Sequence, residues 1–96
     1  LNYEEIKDKR PLKKGQELGE QENYVAVANE NGEIYGLSAA VFYVWAMCDG
    51  KTTVEEMVSK ISQDADIDAD ELKEPVAYIV SQLLDTGLAV LEEAAE

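Results

Sequence analysis

The segment Asp64-Ala65-Asp66-Ile67-Asp68-Ala69-Asp70-Glu71 spaces carboxylates in the alternating manner of a calcium-binding loop. Its register fails the chemistry. A loop opening at Asp64 requires glycine at its sixth place and a bidentate glutamate at its twelfth, where Ala69 and Pro75 stand; opening at Asp66 places Glu71 and Ala77 there instead. The plainer expectation is a solvated linker whose later carboxylates favour the start of a helix. Cys48 is the other reactive side chain, and the sequence holds no histidine to act as its base. It falls on an apolar helical stripe and is expected to be a small core residue. Glycines occur singly, never as a phosphate-cradling cluster. No catalytic residue, metal site or cofactor is therefore expected, and function should lie in surfaces.

Charge narrows the class of partner. The 96 residues carry a net charge of −13, which would repel a phosphate backbone. Lys7, Lys9, Arg10, Lys13 and Lys14 hold five of the eight basic residues, so a basic arm precedes an acidic body. Residues 1–15, interrupted by Pro11, are expected to be a polar, poorly ordered arm, and 92–96 a polar tail. With 46% apolar and 30% charged residues, the remainder suits one globular domain over 16–91. A lone cysteine points to a reducing cytoplasm, and no apolar run approaches the roughly 20 residues of a membrane span. Leu1 in place of Met points to a fragment or trimmed product.

The elements that must form those surfaces read as follows. Gln16 to Leu18 is expected as a short first strand. Tyr24–Ala28 and Glu33–Leu37 are β-favouring runs flanking Asn31-Gly32, the pair suited to a type I′ hairpin. A two-residue loop would set Ala26, Ala28, Tyr35 and Leu37 on one face and Val25, Val27 and Ile34 on the other, so both faces would need cover. Ser38 is expected to cap a first helix ending near Cys48, with Val41, Val44, Trp45 and Cys48 along one side. Asp49-Gly50 ends it. Thr53-Val54-Glu55-Glu56 is a capping box for a second helix with Val54, Met57, Val58 and Ile61 inward. A third carries Leu72, Val76, Ile79, Val80 and Leu83 on one stripe and closes at Gly87. Pro75 should sit in its first turn or kink it. Leu88–Leu91 reads as a short strand or extended tail. The fold class is α+β: a hairpin or three-stranded sheet followed by three helices, in the manner of a small winged helix-turn-helix. The exposed positions of the third helix, Asp70, Glu71, Glu74, Gln82 and Asp85 with Lys73 the sole cation, carry the wrong sign for a DNA groove.

Tyr35-Gly36-Leu37-Ser38, Val44-Trp45, Met47-Cys48-Asp49-Gly50, Thr53-Val54-Glu55-Glu56 and Leu83-Leu84-Asp85-Thr86-Gly87-Leu88 together resemble the PqqD-like family of peptide-recognition domains. Ser38 stands where that family usually has asparagine, Ala39 and Ala46 where it often has polar residues, and Pro75 is unusual in its third helix. The resemblance implies a non-enzymatic binder that presents the leader of a ribosomally made precursor peptide to a modifying enzyme, frequently a radical S-adenosylmethionine protein. It implies a leader added as a strand to the free edge formed by Glu33, Ile34, Tyr35, Gly36 and Leu37. Ile79, Val80, Gln82 and Leu83 would form the helix wall, and Gly36 would admit close backbone approach. The acidic body should favour a basic leader or partner. The alternative is an oligomerisation or scaffold module, a homodimer or docked enzyme meeting the apolar surface of Ala39, Phe42, Tyr43 and Ala46. A transcriptional regulator ranks third. No nucleic acid and no membrane are expected as partners.

Overall fold

Local chemistry starts each principal helix of the computed structural model, which describes residues 2–92. Ser38 Oγ accepts the Val41 N–H at 3.4 Å and opens helix α2 (Ala39–Met47). Here α1 is the single N-terminal turn Tyr3–Ile6, so α2, α3 and α4 are the three helices expected from sequence. Thr53 and Glu56 form the reciprocal capping box of α3 (Val54–Ala65), at 3.1 and 2.9 Å. Asp68 caps α4 (Ala69–Asp85) by accepting the Asp70 N–H. Pro75 lies inside α4, beyond the first turn, where the Glu71 carbonyl forgoes its usual helical partner. Gly87, at φ +77°, closes α4 with a Schellman pair, Leu88 N–H to Leu83 C=O and Gly87 N–H to Leu84 C=O.

The strands form two sheets. β2 (Gln16–Glu20), β3 (Val25–Ala28) and β4 (Ile34–Leu37) form an antiparallel sheet in the order β2-β3-β4, bulged between Glu17 and Gly19. β1 (Arg10–Lys13) pairs antiparallel with β5 (Ala89–Glu92). The architecture is thus α+β, a three-stranded sheet followed by helices.

Two expectations change. The hairpin register is displaced by one residue: Val25 pairs with Leu37 and Val27 with Tyr35. The turn is not type I′, because only Gly32 takes a positive φ; the Gly32 N–H bonds the Asn29 C=O at 3.0 Å, giving a three-residue loop with Gly32 in the left-handed position. A one-residue slip exchanges the faces. Val25, Val27, Tyr35 and Leu37 therefore point to the core, and only Ala26, Ala28, Ile34 and Gly36 are left outside. On these two strands that outer face is built of small residues apart from Ile34, and the Tyr24 ring lies over Gly36 there.

The basic arm is a structural element. Tyr3 and Ile6 are buried in the core, and β1 lies between β5 and the α2–α3 loop. Lys13 N–H bonds Cys48 C=O, Gly50 N–H bonds Pro11 C=O and Val54 N–H bonds Lys9 C=O. Two apolar residues three apart in a four-residue helix are too brief a pattern to read as periodicity, and the partner strand is at the far end of the sequence. Residues 93–96 of the expected polar tail, like Leu1, lie outside the described residues.

The core unites Val25, Val27 and Leu37 with Val44 and Trp45 of α2, Val54, Met57 and Val58 of α3, and Val76, Ala77, Val80 and Leu83 of α4. Cys48 is fully buried, its Sγ directed at the Val44 C=O (3.3 Å). Desolvation, aided by the Asp49 charge, pushes its pKa up to about 12, the state of an inert core thiol. Among the described residues, no group of three or more acidic, cysteine or histidine side chains is placed to hold a metal ion, and no helix is long and apolar enough to cross a membrane.

Candidate functional site

β4 is an edge strand, and the ladder decides which of its backbone groups are free. The Asn29 N–H donates to the Glu33 C=O at 2.8 Å, making that a hydrogen-bonded pair. Alternation along an antiparallel ladder gives Val27·Tyr35 and Val25·Leu37 the same character. The N–H and C=O groups of Ile34 and Gly36 consequently point away from β3, with no strand of the described residues beyond them.

This edge opens on a groove of about 340 Å³ between β4 and the C-terminal half of α4. Of the residues expected from sequence, Tyr35, Gly36, Leu37, Gln82 and Leu83 line it. Leu37 and Leu83 are buried and offer only their outward edges. Val41 of α2, Asp85, Thr86 and Leu88 complete the lining and were not among the expected site residues. Val41 read as part of the apolar stripe of α2 and Leu88 as part of a short strand or extended tail after Gly87; only the tertiary meeting of α2, α4 and β4 places them together.

The other expected residues lie elsewhere. Val80 has no exposed surface and cannot touch a ligand. Ile79 is half-buried against the core and outside the groove lining. Ile34 is 65% exposed, its side chain on the outer face of the sheet with only its backbone at the edge. Glu33 is engaged within the turn, where Oε1 accepts Asn29 Nδ2 at 2.8 Å and its own N–H donates to Asn29 Oδ1 at 2.9 Å. Gly36 does meet a close neighbour, which is a side chain of this chain: a Cβ added there would stand 2.8 Å from Cδ2 of Tyr24, whose ring covers it on the outer face.

Polar contacts, one part-buried and one buried, tie the walls of the groove together. Asn29, the buried polar residue of the hairpin, donates Nδ2 to the Thr86 C=O at 2.8 Å, tying the hairpin turn to the end of α4. Trp45 Nε1–H donates to the Leu88 C=O at 2.9 Å from beneath, and Lys13 Nζ lies 5.0 Å over its ring. The walls are therefore fixed before any ligand arrives.

The apolar surface expected on α2 is partly consumed within the fold. Phe42 is half-buried and packs on Trp45, with ring centroids 5.7 Å apart. Tyr43 donates its hydroxyl to Asp64 Oδ2 at 2.7 Å. Ala39 and Ala46 are exposed.

A family model described as "Coenzyme PQQ synthesis protein D (PqqD)" matches residues 23–89, most of the 96-residue chain. The match runs from just before β3 to the first residue of β5 and contains the whole groove. Neither a curated protein nor a solved structure matches significantly.

Proposed function

The chain belongs to the PqqD family, and from that premise we propose that it binds the leader of a ribosomally made precursor peptide as an added strand on β4 and presents it to a modifying enzyme. The free edge of β4, opening on a groove walled by α4, is the observation that carries this reading. An extended peptide pairs with the outward N–H and C=O groups of Ile34 and Gly36. Its alternate side chains then face either the floor of Leu37, Leu83 and Leu88 or solvent. Main-chain pairing supplies affinity and the floor supplies selection for apolar residues at every second position.

The role is non-catalytic: the domain orders the peptide, and bond-making belongs to the partner enzyme, which in the family's manner is frequently a radical S-adenosylmethionine protein. A cytoplasmic site suits a leader met as it is synthesised. The exposed carboxylates of α4 and the pairing of Lys73 with Asp70 at 2.9 Å leave no basic face for nucleic acid there, which supports a peptide over DNA.

The test is an amide-shift titration of the labelled domain with leader peptides encoded near its gene, beside an unrelated peptide. Saturable shifts should appear at Ile34–Leu37 and along Gln82–Leu88. Repeating it with the leader N-methylated at alternate residues should abolish binding in one phase of methylation and spare it in the other. Equal tolerance of both phases would rule out strand pairing.

A further inference from the structure

The groove does not end at Gln82 and Asp85. Both residues also line a second, shallower hollow that continues along the outer face of α4 past Ser81, Tyr78 and Glu74 to Asn2. Glu74 to Asp85 spans about 16 Å of helix at 1.5 Å per residue, which an extended peptide covers in about five residues. A peptide leaving the β4 groove on that side therefore runs over Tyr78.

Tyr78 is 63% exposed, and its hydroxyl accepts Gln82 Nε2 at 3.1 Å, which lays the ring along the helix toward the residue shared by both hollows. Glu74 lies one turn before it and Asp85 two turns after. Among the described residues neither carboxylate has an ion pair, and the nearest cation in sequence, Lys73, is held by Asp70 at 2.9 Å and lies 5.5 Å over the Tyr3 ring. An apolar side chain laid here would strip water from the carboxylates without replacing it. A cation would meet an aromatic face and two unpaired negative charges.

We propose that the part of the bound peptide flanking the added strand crosses this face of α4, and that the face selects an arginine or lysine, stacked on Tyr78 in the negative field of Glu74 and Asp85 to either side. The inference rests on strand addition to β4 and names the chemistry the same site reads beyond the strand.

The probe is a displayed library of random 20-residue peptides selected on the full chain and, in parallel, on a Glu74→Gln/Tyr78→Ser variant. Both substitutions are on exposed positions that do not line the β4 groove, so the variant folds and keeps its edge strand. On the native chain, selected peptides should share a segment with alternating apolar residues and a basic residue at a constant offset. On the variant the segment should persist and the basic preference vanish. Replacing that arginine by citrulline in a synthetic copy should weaken native binding about fivefold to tenfold, less as salt rises, and leave variant binding unchanged. Selection of the segment with no basic preference, or a citrulline penalty equal on both proteins, overturns this inference while strand addition stands. Peptides that bind without perturbing the Ile34 and Gly36 amides overturn strand addition, and this inference with it.

Discussion

Asn29 Nδ2 donates to the Thr86 carbonyl at 2.8 Å, joining the turn of the β3–β4 hairpin to the last turn of α4 across 57 residues of sequence. The same amide closes the turn itself, since its Oδ1 accepts the N–H groups of Asn31 and Glu33 at 3.0 and 2.9 Å. One side chain therefore fixes both the hairpin register and the distance between the two walls of the groove. The Asn29 side chain is itself buried, and these bonds are partly shielded from water.

Asn29→Ala should destabilise the domain by about 1–2 kcal/mol, because it leaves the part-buried Thr86 carbonyl and two turn N–H groups without their partner. Urea denaturation measures this. Leader affinity should fall as well, since the walls lose their tie. Asn29→Asp keeps the acceptor but sets a carboxylate beside Glu33, and should be at least as costly at neutral pH.

The turn makes a sharper prediction about two neighbours. Gly32 holds φ +87° with open space around its Cα, whereas Asn31 does not take a positive φ. Gly32→Ala should therefore cost about 1–2 kcal/mol from the left-handed conformation alone, and Asn31→Ala should cost far less. Equal penalties in thermal unfolding would indicate the type I′ turn and the other register.

Trp45→Phe retains most of the apolar volume but removes the indole N–H that bonds the Leu88 carbonyl at 2.9 Å. A loss of about 1–2 kcal/mol is expected, with amide shifts spreading from Leu88 into the groove. Chemical denaturation paired with a two-dimensional amide spectrum reads both.

Cys48 should resist alkylation in the native protein at pH 8 and react once the chain is unfolded. Its pKa is raised to about 12 by burial first and by the Asp49 charge second. Between the ordinary thiol value and about 12 the native state binds more protons than the unfolded state, so this contribution is complete below the ordinary value and falls as pH climbs through that window. Stability measured from pH 8 upward should drop more steeply for the native sequence than for Cys48→Ala. Parallel curves would contradict the burial of the thiol.

If α2 mediates assembly, an exposed position on it should control the oligomeric state. Ala46→Glu adds charge at a residue that makes no core contact, and should leave both sedimentation and leader binding unchanged under strand addition to β4. Phe42→Asp is a poorer probe, because it also removes the packing on Trp45. Loss of a dimer in Ala46→Glu would instead favour the scaffold role.

The contrast between α3 and the hairpin explains what was legible. The capping box at Thr53 and Glu56 and the Schellman closure at Gly87 involve residues three to five apart, so local spacing was enough to read them. Asn31-Gly32 suits a type I′ turn by composition, whereas the three-residue loop goes with Asn29, whose side chain accepts from the Asn31 and Glu33 N–H groups and also reaches a carbonyl at the other end of the domain. Reading the wrong turn exchanged the two faces of the sheet. The groove was half legible for the same reason: Gly36, Leu37, Leu83 and Leu88 lie in motifs, but Val41 lies outside them and meets Leu88 in the groove only where α2 and the end of α4 come together at β4. Val80 lies on the stripe that packs α4 onto the core and is fully buried there, whereas Leu83 of the same stripe reaches the groove with its outward edge.

Hydrogen exchange at single amides on β4, followed with and without a bound leader peptide, tests strand addition most directly. In the free domain the Tyr35 and Leu37 amides should be protected by β3, and those of Ile34 and Gly36 should exchange freely. Binding should protect Ile34 and Gly36, producing an alternating gain along one strand. Exchange at those two amides unchanged by a saturating leader, with protection arising on α2 instead, would contradict the account.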